Sequence, residues 1–480
     1  MSLMISRATV IDGVSERAHE ERSIWIEDGR IKAIGGPDEL RPSLALRAID
    51  ARGKFVIPGL MNANVHLLCD ISLENLTRYM ERYEELIAEA AQIALKNGLT
   101  TVFDTWGPRR PLCAVRDRIN AGKLPGSRIF CAGNVIGWDG PFSHDFNPKV
   151  ADIANPALVN RINAIWVANV GRHLMWLTPE EVAQELRTYI GKGVDFIKYG
   201  ANEHFGSSAG AFLQFSPRVQ RRIVDEAHRA GLTAQAHTMS VEGLWLALEA
   251  GCDLIQHANH TGPRPIPEVT LERMARQQTG TVIFPMPQRR LEWLMKNESH
   301  RTPLMWQVAD KNARNLIRSG APVLLANDGV LLAPETLANP KLINFLAGPW
   351  EDNLFSLSSG HFTWLEAMEE KECAPMQILQ AATRNIARAY GKEKDLGSIE
   401  PGKIADLLIL DKNPLVSAKH YRSIHTIIKE GEIVDREALP LHPMLTAPTD
   451  PPVEEEAGYV APLAKSGAFP CCPMCEIGAP

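Results

Sequence analysis

Four polar residues close short apolar runs in this chain: Lys198 in DFIKYG, His237 in LTAQAH, His257 in LIQHANH and Asp328 in LLANDG. A fifth group, Asn64 and His66, closes PGLMNANVHLL. Imidazoles, a carboxylate and a lysine gathered at one place are the makings of a divalent-metal site. Each residue alone has a plainer reading. A single histidine at a strand end is more often hydrogen-bonded within the fold, a single lysine more often snorkels, and Asp-Gly is a common turn. Four separate strands each ending in a ligand-type residue is a different matter, and the joint pattern carries the expectation.

Residues so far apart in sequence need a scaffold that brings strand ends together. From Val56 to about Gly391, short apolar runs alternate with segments of helical period. The expected strands are 61–67, 100–104, 128–135, 195–199, 233–237, 254–257, 281–284 and 323–326, with helices such as 74–96, 179–191, 217–230, 240–250 and 300–319 between them. This predicts an α/β fold, a distorted (β/α)₈ TIM-like barrel over 59–391, with all strand C-termini opening on one face. Residues 1–58 and 392–440 alternate apolar and polar positions between Asp-Gly and Pro-Gly turns. They are expected to form one small β-sandwich domain together. Residues 441–480 collapse into Pro, Ala, Gly and a Glu triplet, an extended tail. Cys471, Cys472 and Cys475 supply one Cys-x-x-Cys pair, short of the second pair a structural zinc normally needs.

Composition narrows the function classes. The 480 residues carry 51 Lys+Arg against 57 Asp+Glu, a net charge of −6 without a basic patch, which argues against nucleic acid as partner. No run of about 18 uncharged apolar residues appears, so no membrane span is expected. Eight cysteines are too sparse for a disulfide scaffold, and a reducing cytoplasm is the expected location. The apolar stretch 330–364, with Leu342, Phe345, Trp350 and Phe355, could wall a pocket or pack a neighbouring subunit of a homo-oligomer.

The chain resembles the amidohydrolase superfamily, in its imidazolonepropionase and prolidase-like branch. The resemblance covers about residues 1–440 and rests on PGLMNANVH, TTVFDTWG, AVRDRINAGKLPGSRIFCAG, GVDFIK, AATRNIARAYG and LGSIEPGKIADLLILD. It implies a divalent-metal hydrolase, with one or two ions of zinc, manganese or cobalt. It implies carboxylation of Lys198 on its amine and a ligand set of Asn64, His66, Lys198, His237, His257 and Asp328. Asp328 and His257 become the catalytic candidates, and His144, Tyr199 and His260 the candidates for substrate contact. One departure is informative: Asn64 stands where relatives carry the first histidine of His-x-His. An Asn-x-His start is similar to the subgroup of phenylurea hydrolases and molinate hydrolase, implying a small neutral aromatic urea, amide or thiocarbamate as substrate. Two other readings stay open. A dipeptidase of the Xaa-Pro type would need positive charge for the substrate carboxylate, which Arg289 and Arg290 could provide, and a barrel that lost catalysis would serve as a binding subunit.

Overall fold

The computed structural model describes residues 2–36, 39–40, 47–68, 73–204, 212–297, 301–334 and 353–447. Leu342, Phe345, Trp350 and the cysteines of the tail therefore lie outside the described residues. Eight parallel strands form the barrel: Leu60–His66, Leu99–Asp104, Arg128–Cys131, Ile197–Gly200, Ala234–His237, Leu254–Gln256, Gly280–Ile283 and Val323–Leu325. Each matches an expected run. The third and fourth are linked through Ile136, whose N–H donates to the Lys198 carbonyl at 2.8 Å. On the other side the short strand Gly329–Val330 pairs with Val65 and His66, bringing the segment after the eighth strand against the first.

Local chemistry sets the helices between strands. Thr178, Ser216, Ser240 and Thr302 each cap a helix by accepting a backbone N–H, and Thr178 forms a reciprocal capping box with Glu181. Proline at the first turn of three of these helices sacrifices no hydrogen bond. The segment expected as one helix over 74–96 is two, Leu73–Arg78 and Tyr83–Lys96. The break lets Tyr83 bury its ring edge-on against Trp166 at 5.6 Å while its hydroxyl donates to the Leu76 carbonyl at 2.8 Å.

Strands from both chain ends share one eight-stranded sheet. Leu407–Leu410 pairs antiparallel with Phe55–Pro58, which pairs in turn with Ser2–Val10. The hydrogen bonding thus runs through a single sheet whose own core includes Ile5, Ile24, Ile26, Val56, Ile409 and Ile428. Asp28 and Gly29, both at positive φ, make the two-residue turn of its first hairpin. Arg128 at the start of the third barrel strand reaches Asp406 at 3.2 Å and Glu430 at 2.7 Å, tying sheet to barrel. Beyond the sheet, the buried Glu89 carboxylate accepts the backbone N–H groups of Met444, Leu445 and Thr446 and so fixes the chain up to 447. No helix among the described residues is long and apolar enough to cross a membrane.

Candidate active site

Side-chain alternation along the strands decides what faces the barrel interior. Lys198 is in register with Gln235, and both point inward; Tyr199, one residue on, points outward. Its hydroxyl lies 3.1 Å from the Cys252 sulfur and 3.3 Å from the Gln220 oxygen, between barrel and helices. Tyr199 is therefore a packing residue and does not contact the mouth, contrary to its expected role. His144 is also displaced from the cluster. It is 70% exposed, sits 3.7 Å from Asp152, and lines a cavity with Asp139, Asp145, Arg172 and Glu203.

The other expected residues do come together. His237 and His257 stand edge to face with ring centroids 4.4 Å apart. The Nδ1–H of His257 donates to the Thr238 carbonyl at 3.0 Å, leaving Nε2 as the nitrogen with the free lone pair. His66 is oriented in the same manner by the Trp106 carbonyl at 3.2 Å, and its Nε2 lies 3.6 Å from Asp328. Both His257 and Asp328 adopt positive φ, 37° and 47°, just past strand ends. Such backbone strain in non-glycine residues is typical of functional sites. His260 lies farther out, 2.7 Å from Arg301, with its ring 5.8 Å from Phe284.

Asn64 is the residue whose placement says most. Its side-chain amide donates to Gln256 at 2.8 Å and its oxygen accepts from the Thr105 hydroxyl at 2.5 Å. Thr105 in turn accepts from the Lys198 amine at 3.0 Å. On the far side Gln256 donates to Gln235, Gln235 to the Tyr390 hydroxyl at 3.1 Å, and Tyr390 to the Ala63 carbonyl at 2.8 Å. Ala63 lies at a break in the register between the first and second strands, where its carbonyl is met by Tyr390. Six hydrogen bonds, all running in one direction, thus cross the barrel from Lys198 to the backbone.

Burial sets the charge states. It brings the Lys198 amine down to about 8 against the pull of Asp328 and Asp104, and it pushes the Asp104 carboxyl up to about 8. It also holds His237 well below the ordinary imidazole range and lowers His257 to about 4. Burial alone would raise Asp328, but His66 and the nearby positive charge outweigh it and keep the carboxyl below its usual value. At neutral pH the site therefore presents His237 and His257 as neutral imidazoles and Asp328 as a carboxylate.

Those are the protonation states a divalent cation requires. Two buried atoms in the cluster, His237 Nε2 and Asp328 Oδ1, make no hydrogen bond among the described residues. Unpaired buried donors and acceptors are costly and call for a partner. The donor chemistry and these two atoms fit a metal ion. Among the described residues no three His, Cys, Asp or Glu side chains are grouped closely enough to hold a metal ion by themselves.

The surroundings are aromatic. Trp138 meets His237 edge-on at 4.6 Å, Trp106 meets His66 at 6.0 Å, and Phe284 bridges His257 and Phe355 at 5.8 and 6.0 Å. Two polar groups at the mouth escaped sequence reasoning. His204, in NEHFG, lies tilted against Phe146 at 4.6 Å and faces His237 at 5.9 Å; Arg301 lies over Trp306 at 5.0 Å. Neither ends a strand, and neither has a spacing that marks it.

Two outcomes follow from this geometry. Thr105→Val removes the hydroxyl that serves both Lys198 and Asn64, so unfolding in urea should show a loss of about 1–3 kcal/mol, whereas Thr105→Ser should recover most of it. Equal losses in the two variants would show that the hydroxyl holds nothing. For His204, burial lowers the ring to about 3 from its ordinary 6.5. The unfolded chain then takes up a proton that the fold refuses, so the stability present above 6.5 is lost as pH falls towards 3. In metal-free protein, His204→Phe should flatten the dependence of unfolding free energy on pH between about 6.5 and about 4 by roughly one proton.

A model of the Amidohydrolase family matches residues 55–434. Among solved structures, molinate hydrolase superposes with a TM-score of 0.88 at 37% identity, covering 94% of this chain and 98% of the other. Phenylurea hydrolase B gives a TM-score of 0.88 at 34% identity, covering 94% and 100%. Imidazolonepropionase from Geobacillus thermodenitrificans (strain NG80-2) is 26% identical over 441 residues, 87% of this chain and 91% of its own length. With its eight-stranded barrel and this match across most of its length, the chain belongs to the amidohydrolase family.

Proposed function

We propose that this protein is a metal-dependent hydrolase that cleaves the C–N bond of a small neutral aromatic urea, or of a related amide or thiocarbamate. The observation that carries the reading is a buried cluster of neutral imidazoles, a carboxylate and a lysine, enclosed by the rings of Trp106, Trp138, Phe146, Phe284 and Phe355. An aromatic wall with a few placed polar atoms suits an uncharged aryl ligand. Molinate hydrolase and phenylurea hydrolase B, two similar structures above 30% identity, bear names of hydrolases, the second of them of phenylureas.

His237, His257, His66 and Asp328 would hold the ion, zinc being the first choice for imidazole and carboxylate donors. When bound, a divalent cation polarises the carbonyl and makes water acidic enough to ionise near neutral pH. Lys198, lowered by burial to about 8, keeps a usable fraction of neutral amine. That amine can add to carbon dioxide, forming an N–C bond and releasing a proton, and the remaining N–H still has Thr105 to donate to. Asp328, kept ionised beside His66, takes the proton of the attacking water and passes it to the departing nitrogen. The neutral rings around it exclude bulk water and so strengthen every polar contact inside.

One observation favours a second reading. Arg301 lies against His260 and Trp306 at the mouth and could pair with a substrate carboxylate, as a dipeptidase needs. Of the two arginines that sequence suggested for that task, Arg290 is buried over Trp293 in the helix Gln288–Asn297. Turnover of metal-replete protein on aryl ureas, thiocarbamates and Xaa-Pro dipeptides separates the readings. Neutral aryl substrates should give the higher kcat/KM, and Lys198→Ala should lose activity and bound metal together. A clear preference for dipeptides would move the assignment to the second reading, and an alanine variant with full metal and full rate would remove Lys198 from the site.

A further inference from the structure

On the outer face of the third strand, two cysteines approach each other. Cys113 projects from the helix Arg109–Asn120 and Cys131 ends the strand Arg128–Cys131, with their sulfurs 3.9 Å apart. Cys131 is fully buried; Cys113 is partly open to solvent. Two guanidiniums act on Cys113: Arg116 donates to the Gly193 carbonyl at 2.7 Å, the same carbonyl that the Cys113 sulfur approaches at 3.8 Å, and Arg109 is anchored on the Lys192 carbonyl at 2.9 Å. Beside Cys131 sits the Asp195 carboxylate, which accepts the Cys131 backbone N–H at 2.9 Å and lies 3.6 Å from its sulfur. The hydrogen bond with Cys131 and the fields of Arg116 and Arg109 bring the Cys113 thiol down to about 7, against the opposing effects of burial and Asp195. Cys131 is raised well above the ordinary thiol range. The open member of the pair is the better thiolate and the closed member keeps its proton, an asymmetry suited to an attacking and a resolving cysteine.

We propose that Cys113 and Cys131 form a peroxide-reactive dithiol that closes to a disulfide, a modification site separate from the hydrolytic centre. The Cys113 thiolate attacks one oxygen of a hydroperoxide, the O–O bond breaks, and hydroxide (or alkoxide) leaves, giving the sulfenic acid. The Cys131 sulfur then attacks that sulfenic sulfur. An S–S bond forms as the S–O bond breaks, and the Cys131 proton passes by way of the Asp195 carboxylate to the departing hydroxide, which leaves as water. In sum two thiols are oxidised by two electrons and one peroxide is reduced. Little movement is needed, since the sulfurs already touch. The resulting bridge would pin the helix Arg109–Asn120 to the barrel wall.

Peptide mapping of the full-length protein after limited hydrogen peroxide, with free thiols alkylated on quenching, tests this directly. The wild type should yield the Cys113–Cys131 cross-linked pair, two hydrogens lighter than the sum of its peptides and lost on reduction. Cys113 should also alkylate at least about tenfold faster than Cys252 or Cys373 before oxidation. In Cys131→Ser, Cys113 should stop at a sulfenic acid that dimedone traps. Cys113 remaining reduced, over-oxidised or bridged to any cysteine other than Cys131 in the wild type would overturn the proposal, as would alkylation of Cys113 no faster than that of the buried thiols.

Discussion

A lysine amine buried at the mouth of a barrel has to find an acceptor, and here it finds the hydroxyl of Thr105 at 3.0 Å. That hydroxyl can face its lone pairs to Lys198 only if its own proton goes elsewhere, and Asn64 takes it. The amide of Asn64 must then donate, which it does to Gln256, and the requirement passes through Gln235 and Tyr390 to a backbone carbonyl. Leaving any one of these buried groups unpaired would cost about 1–3 kcal/mol. The barrel interior is thus committed to one direction of hydrogen bonding, and the direction fixes which way Lys198 points. A carboxamide serves this chain well because it offers a donor and an acceptor at once.

Around that fixed lysine, the rest of the site follows from burial. His237 and His257, enclosed by Trp138 and Phe284, stay neutral, so their lone pairs remain available. Backbone carbonyls choose the tautomers of His66 and His257, and positive φ at His257 and Asp328 turns both side chains inward just past their strands. The same aromatic enclosure that sets protonation also shapes the substrate. A neutral aryl group can lie against rings without desolvating a charge, whereas a carboxylated substrate has Arg301 to meet it.

Much of this was legible in the sequence, because strand ends carry a periodic signal and chemistry-bearing residues stand out against apolar runs. All eight strands fall where alternation placed them, and Asn64, His66, Lys198, His237, His257 and Asp328 share one mouth. Family resemblance and family match agree on the barrel. What escaped reading depends on direction and distance, which a one-dimensional pattern does not hold. Tyr199 follows Lys198 in sequence yet faces the opposite side, as strand alternation requires. Thr105, Gln235 and Gln256 looked like ordinary polar residues until their mutual bonds appeared. His204 and Arg301 reach the mouth from loops that obey no period. The break between Leu73–Arg78 and Tyr83–Lys96 accompanies a tertiary contact, Tyr83 on Trp166, that no local pattern announces.

The most direct test of the hydrogen-bonded chain is to replace Asn64 with histidine. An imidazole that spends one nitrogen on a metal keeps only one for Thr105 or Gln256, so the chain to Lys198 breaks even as metal binding strengthens. Metal affinity and kcat/KM should therefore be measured together on Asn64→His. Metal should bind as tightly as in the wild type or more so, while kcat/KM on the best substrate falls at least about tenfold, corresponding to about 1.4 kcal/mol of lost transition-state stabilisation. Equal or higher activity with tight metal would contradict the account and show that the Asn64 amide is dispensable for holding Lys198.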